Sequence, residues 1–352
     1  MWPPPPLPRK FHACERDLAS DKPEVRASAV ADLVRHTRDP ETRARALELL
    51  GKALKDLAPR VRAAAAVAIA DGAGGHELLD GLIAAVDDDD DEVRQLAISA
   101  LGEITAARSS REARDRSETS TADARAVQRL LRAQDEWRPS MRYQATIALA
   151  RAAGDDEEVR VRALLHASSD EDMNIRYIAM RLAEEHAKDS PPERLRVRAV
   201  ALLDDEEPDV AAAAAIYLGH AGDEKAKPML RKIVRGEVRI QLEDEREAVE
   251  LAGALDMREL TADLERRAFG PLRFVRDTTP YHALIALARM GHARAIAAIT
   301  SDLSSRSRKR REAAVVAAGR ARLAATRERI AKLDDRVVSA HLRDEALRAF
   351  EQ

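Results

Sequence analysis

The strongest constraint on this chain is a block that returns about every 34 residues, with its clearest copy at Val93-Arg94-Gln95-Leu96-Ala97-Ile98-Ser99-Ala100-Leu101-Gly102. With Val93 as position 1, positions 1, 5, 8 and 9 are Val93, Ala97, Ala100 and Leu101. At about 100° per residue these four share one face of a helix. The alanines on that face let a neighbouring helix approach closely, and the valine and leucine supply buried area. Asp91 and Glu92 precede the block, where the free N–H groups of a helix start favour negative charge.

Position 2 of successive copies falls at residues 26, 62, 94, 142, 176, 211, 245, 280 and 311, in steps of 31 to 36 with one long step of 48. Such a period marks a repeat array. Between the blocks lie further segments with Leu, Ile or Val at helical spacing, at 40–54, 76–86, 123–133, 156–167, 191–203, 223–235, 257–268, 292–303 and 322–333. No run reads as a strand. Each unit is thus a hairpin of a first helix and a second, block-bearing helix. One hairpin cannot bury its apolar face alone, so neighbours must stack.

The repeat overrides the expectation of two or three globular domains that 352 residues would otherwise raise. The domain reading is a proline-rich arm at 1–9 and a single array at 10–350, interrupted by an insertion. The long step holds 108–121, rich in Ser, Arg and Thr without apolar periodicity, and it reads as a flexible insertion. Aromatic residues are only 3% of the chain, so the core must be built from Ala, Leu, Val and Ile. The net charge of -3 gives no overall cationic surface for nucleic acid. A single cysteine, Cys14, excludes an internal disulfide framework and fits a reducing compartment. No apolar run reaches membrane-spanning length, and the start lacks a signal-peptide core. The expected location is the cytoplasm.

Hairpins of this length carrying Asp, Pro-x-Val-Arg and Ala-x-x-Ala-Leu-Gly resemble HEAT repeats. The resemblance rests on Asp56, Pro59, Val61 and Arg62, on Asp91, Val93, Arg94, Ala97, Ala100, Leu101 and Gly102, and on Pro208, Val210, Leu218 and Gly219. The short, alanine-rich form is most similar to the HEAT-like repeats of phycobilisome lyase subunits and their bacterial relatives. That likeness implies a right-handed all-α solenoid of nine to ten hairpins. It also implies that Arg26, Arg62, Arg94, Arg142 and Arg176 form a structural ladder with the acids before each second helix.

Function is less legible. There is no phosphate-binding glycine loop after a strand, and the nine histidines show no metal spacing. Deoxyhypusine hydroxylases hold a di-iron centre on HEAT-like repeats with several His-Glu pairs, whereas His76-Glu77 is the one such pair here. The chain is therefore expected to be no enzyme, with no cofactor and no metal. Its expected function is a protein-interaction scaffold or adaptor with a partner on the concave face. The alternatives are a subunit assisting covalent modification of a partner, as in bilin attachment, or a nucleic-acid binder; nucleic acid and membrane are not the expected partners.

Candidate contact residues come from two places. Position 3, which points away from the buried face, holds Tyr143, Tyr177 and Tyr281. Positions 6 and 7 hold Val30, Val67, Ile98, Ile147, Met180, Ile216, Val249, Leu284 and Val315. This column either lines an apolar groove beside the tyrosines or packs against the next unit. The second place is the basic cluster at Arg306, Arg308, Lys309, Arg310 and Arg311, of which Arg308, Lys309 and Arg310 are the candidates to contact an acidic partner or a phosphate backbone. Acidic runs at 87–92, 204–207 and 243–245 would align as a ridge along one edge.

Overall fold

A computed structural model describes residues 8–71, 75–115, 121–154, 156–186, 191–270 and 279–351. Among them the chain is all-α, and it divides into two compact units, Met1–Ala183 and Glu184–Gln352. The first contains α1 (Phe11–Leu18), α2 (Pro23–His36), α3 (Arg43–Ala53), α4 (Pro59–Ala70), α5 (Gly75–Ala85), α6 (Asp91–Asp115), α7 (Thr121–Ala133), α8 (Pro139–Ala152), α9 (Glu157–Ala167) and α10 (Met173–Glu185), whose last two residues fall in the second. The second continues with α11 (Glu193–Leu202), α12 (Pro208–His220), α13 (Lys227–Arg235), α14 (Leu242–Ala254), α15 (Thr261–Phe269), α16 (Thr279–Arg289), α17 (Ala293–Asp302), α18 (Arg308–Arg320), α19 (Arg327–Ala331) and α20 (Ala340–Ala349). The odd-numbered helices are the first helices of hairpins and the even-numbered ones the second. In each unit second helix packs on second helix: α2 on α4, α4 on α6 and α6 on α8, then α12 on α14, α14 on α16, α16 on α18 and α18 on α20. This stacking of hairpins is an α-solenoid.

The helices start where local chemistry dictates. Pro23, Pro59, Pro139 and Pro208 each open a second helix, where the missing N–H would have no intrahelical partner. Pro40 instead lies in the turn before α3, and Pro192 is the N-cap of α11. The sequence reading missed α1 and α20, which lack the full block. Residues 108–115, expected as part of a flexible insertion, continue α6, while 116–120 lie outside the described residues. Missing apolar periodicity argues against burial, not against helicity. Arg, Glu and Ala are good helix formers.

The core follows the block. Val93, Ala97, Ala100 and Leu101 are all buried, as are Met141, Ala145, Ala148 and Leu149 in the next copy. Glycine at position 10 takes the approach further. A Cβ on Gly102 would lie 2.7 Å from the Cα of Ala148, and one on Gly319 2.8 Å from that of Ala346. On Gly253 it would lie 2.4 Å from the Cα of Ala286. In each case the neighbour is the alanine at position 8 of the next second helix, so backbone lies against backbone. One buried polar link joins three helices: Gln134 donates to the Thr146 hydroxyl and to the Ala163 carbonyl, both at 3.1 Å.

Two substitutions test this packing. Ala97→Leu should lower unfolding free energy by about 1–3 kcal/mol through overpacking. Gly253→Ala should also destabilise, although alanine is the better helix former by about 1 kcal/mol. Urea denaturation followed by circular dichroism reads both, and a stabilised Gly253→Ala variant would contradict the close approach.

Candidate functional site

In three hairpins the turn before the second helix is built by one aspartate with two tasks. Asp56, Asp88 and Asp170 accept from the backbone N–H two residues on, at 2.8, 3.0 and 2.8 Å, closing an Asx turn. The same carboxylates receive a two-pronged arginine from the preceding hairpin. Arg26 grips Asp56 at 2.7 and 2.9 Å, Arg62 grips Asp88 at 2.6 and 2.7 Å, and Arg142 grips Asp170 at 2.8 and 2.9 Å. Each arginine also donates to carbonyls of its own turn, such as Glu136 and Trp137 for Arg142. Arg176 makes the equivalent bonds to the Asp170 and Glu171 carbonyls, both at 3.0 Å. Thus Arg26, Arg62 and Arg142 each bridge to the next turn, while Arg176 donates to its own turn.

Arg94 departs from the pattern. Glu136 stands in the next hairpin where the others carry Asp, and its extra methylene does not suit an Asx turn. Arg94 turns instead to Asp91 at the start of its own helix. In the second unit, position 2 carries Glu245, and the polarity is reversed: Arg267, on the next first helix, donates to it at 2.6 Å. Arg311 restores the ladder form, donating to the Ser305 and Arg306 carbonyls at 2.6 and 3.1 Å.

The candidate contact residues separate. Tyr143 and Tyr177 are half-buried on α8 and α10. Met180 is fully buried, so it packs in the core and cannot be a contact residue. The same holds for Val30, Ile98, Ile216, Val249, Leu284 and Val315, so this column packs against its neighbours, with Val67 left exposed. Tyr281 is half-buried and donates to Asp302 at 2.8 Å. Burial, with the Asp302 bond, pushes its phenol well above the usual range. The fourth tyrosine, Tyr217, is buried, and burial pushes its phenol up to about 12. Arg308, Lys309 and Arg310 are exposed at the start of α18, with Arg308 paired to Glu312 at 2.9 Å. Cys14 is buried and burial raises its thiol, the reverse of what a nucleophile needs.

Two features escaped the sequence reading. The first is an edge. Four residues before position 1, the turns carry Leu57, Asp89, Trp137 and Glu171 in successive hairpins. Leu57 is 97% exposed and Trp137 73%. The Asp89 and Glu171 side chains are 89% and 84% exposed. Arg138 stacks 4.3 Å from the Trp137 ring centroid, and Arg142 holds the Trp137 carbonyl. A rigid turn therefore presents an indole to solvent. Counting back from each block would have aligned these four residues, but not their exposure.

The second is a polar cluster inside the second unit. Glu250 is buried on α14, which alone would raise its carboxyl. His282 at 2.6 Å and Arg320 at 3.0 Å outweigh that and hold it below the usual range. Beside them a cavity of about 700 Å³ opens between α16 and α18, lined by Tyr281, Leu284, Asp302, Arg310, Val316 and Arg320 among others.

Comparison with known proteins agrees with this geometry. Residues 15–102 and 47–150 match the family described as HEAT repeats. Residues 15–150 are thus similar to HEAT repeats. Among solved structures it is similar to YibA of Escherichia coli, at 15% identity and a TM-score of 0.55, covering 81% of this chain and 93% of that one. It is similar to importin β at 13% identity and a TM-score of 0.50, covering 96% of this chain and 48% of that one, so it spans about half of importin β. The CpcE–CpcF complex of phycocyanin lyase from Nostoc sp. PCC7120 aligns at 17% identity and a TM-score of 0.39, over 72% of this chain and 91% of that one. At these identities the likenesses to YibA and importin β establish the fold, and that to the lyase is too slight to support more. No curated protein matches the chain in sequence. No helix among the described residues is long and apolar enough to cross a membrane.

The ladder makes a pH prediction. Burial alone would raise Asp88 and Asp170, but their arginines outweigh it; at Asp56 the Arg26 bond itself dominates, so all three carboxyls sit below their ordinary range. A carboxyl whose folded pKa lies below its unfolded value of about 3.9 stabilises above that pH, and the gain is lost as pH falls through the folded value. Stability should therefore drop below about pH 4, and Asp170→Asn should flatten that drop. Arg142→Ala, which strands the buried Asp170 and two carbonyls, should cost about 3–5 kcal/mol at neutral pH. Arg94→Ala should cost clearly less in the same urea titrations.

Proposed function

We propose that this chain is a non-catalytic protein-interaction scaffold of the cytoplasm. The partner docks along the edge formed by the turns before α4, α6, α8 and α10. The observation that supports this most is Trp137: a large aromatic side chain, exposed to solvent, on a turn held by Arg138 and Arg142. Tryptophan is favoured as a binding anchor because it buries much area with little loss of freedom. Leu57 lies on the same edge, with Asp89 and Glu171 interleaved. Asp89 and Glu171 are already paired to Arg62 and Arg142, so the apolar anchors carry the docking.

Tyr143 and Tyr177, each in the second turn of its helix, α8 and α10, would extend the same surface onto the second helices. Stacked hairpins set equivalent columns roughly 10 Å apart, so one peptide or helix spans two of them. The basic start of α18 is the weaker candidate, since Arg308 is paired within its helix and Arg311 belongs to the turn.

The test is quantitative affinity purification with the full chain, followed by measured binding of the recovered protein. Trp137→Ala with Leu57→Ala should weaken that partner at least tenfold while the helical circular dichroism is unchanged. Tyr143→Ala with Tyr177→Ala should weaken it to a smaller degree. Reversing Arg308, Lys309 and Arg310 to Glu should matter least, and mainly at low salt. If the charge reversal dominates, or if the chain retains DNA or RNA in a salt-dependent way through those residues, the edge reading is wrong.

A further inference from the structure

Three second helices bring a histidine and two glutamates together at one point. His220 is the last residue of α12, Glu184 is next to last in α10, and Glu247 is in the second turn of α14. The His220 Nε2 lies 2.6 Å from the Glu247 Oε1 and 3.7 Å from the Glu184 Oε1. One ligand atom from each residue lies within 4.8 Å of the other two. The side chains are 43%, 23% and 25% exposed for His220, Glu184 and Glu247. They are reachable from solvent, and each stands on a helix.

One imidazole nitrogen and two carboxylate oxygens are the donor set of a borderline divalent cation such as Zn²⁺, Mn²⁺, Fe²⁺ or Co²⁺. Calcium prefers six to eight oxygens, and soft ions prefer sulfur. Bonds of about 2.0–2.2 Å in a tetrahedral site put ligand atoms about 3.3 Å apart. The present separations of 2.6 and 3.7 Å lie on either side of that value, within reach of small side-chain rotations.

We propose that Glu184, His220 and Glu247 bind one divalent transition-metal cation, with a further coordination position left for water or for a ligand from outside. Three protein ligands with an open position is the form of a site that engages something besides the protein. The site stands on different residues from the proposed docking edge, so each reading survives failure of the other.

Titration of the full-length chain with CoCl₂, followed by visible absorption, and with ZnCl₂, followed by calorimetry, tests the site. One equivalent should bind, with a d–d band from a defined coordination sphere, and Zn²⁺ should raise the melting temperature. His220→Ala should abolish the band. Glu184→Gln and Glu247→Gln keep side-chain size and should each weaken binding at least tenfold with unchanged circular dichroism. The proposal is overturned if the wild-type chain binds no stoichiometric metal. It is equally overturned if the two Gln variants bind as the wild type does.

Discussion

The structure depends on how closely one second helix lies against the next. Glycine at position 10 faces alanine at position 8 of the following repeat, so close that a single added carbon meets backbone. Dispersion between two backbones in contact is collectively large, and a gap of an ångström forfeits much of it. At the Gly102, Gly253 and Gly319 interfaces this contact sets how closely the hairpins approach. Where position 8 is Leu251 instead of alanine, the glycine before it, Gly219, meets a side chain rather than a backbone.

The arginine ladder uses that fixed spacing. An arginine reaches the aspartate of the next turn with both prongs only if the turns sit one hairpin spacing apart. The aspartate must also be held by its own Asx turn. Both conditions hold at Asp56, Asp88 and Asp170. Arg94 faces Glu136 and loses the pairing. In the second unit Glu245 stands at the arginine position of α14 and Arg267, on the next first helix, is the donor. A buried charge must be paired, but packing is indifferent to which partner carries which sign.

The repeats differ most where they are exposed. Turns before the second helices carry leucine, aspartate, tryptophan and glutamate in one column, on a backbone that is nearly the same each time. A solenoid lets such a column vary without disturbing the core, because side chains there contact few neighbours. That freedom is why an exposed indole at Trp137 points to an interaction, and why the cluster at Glu184, His220 and Glu247 draws on residues with no shared motif.

The sequence by itself determined the all-α hairpin array and the buried face of the block. Periodicity along the chain is a local property, and burial of a repeated face follows from it. It did not determine which exposed-looking columns stay exposed. Position 3 and positions 6–7 read alike as candidates for a surface, yet Met180 and its column are buried while Tyr143 and Tyr177 remain half-open. That choice depends on how far the next hairpin overlaps the last, which no single repeat encodes. Nor did it reveal His220 between Glu184 and Glu247, because helix stacking alone brings these three separate stretches of chain to one point.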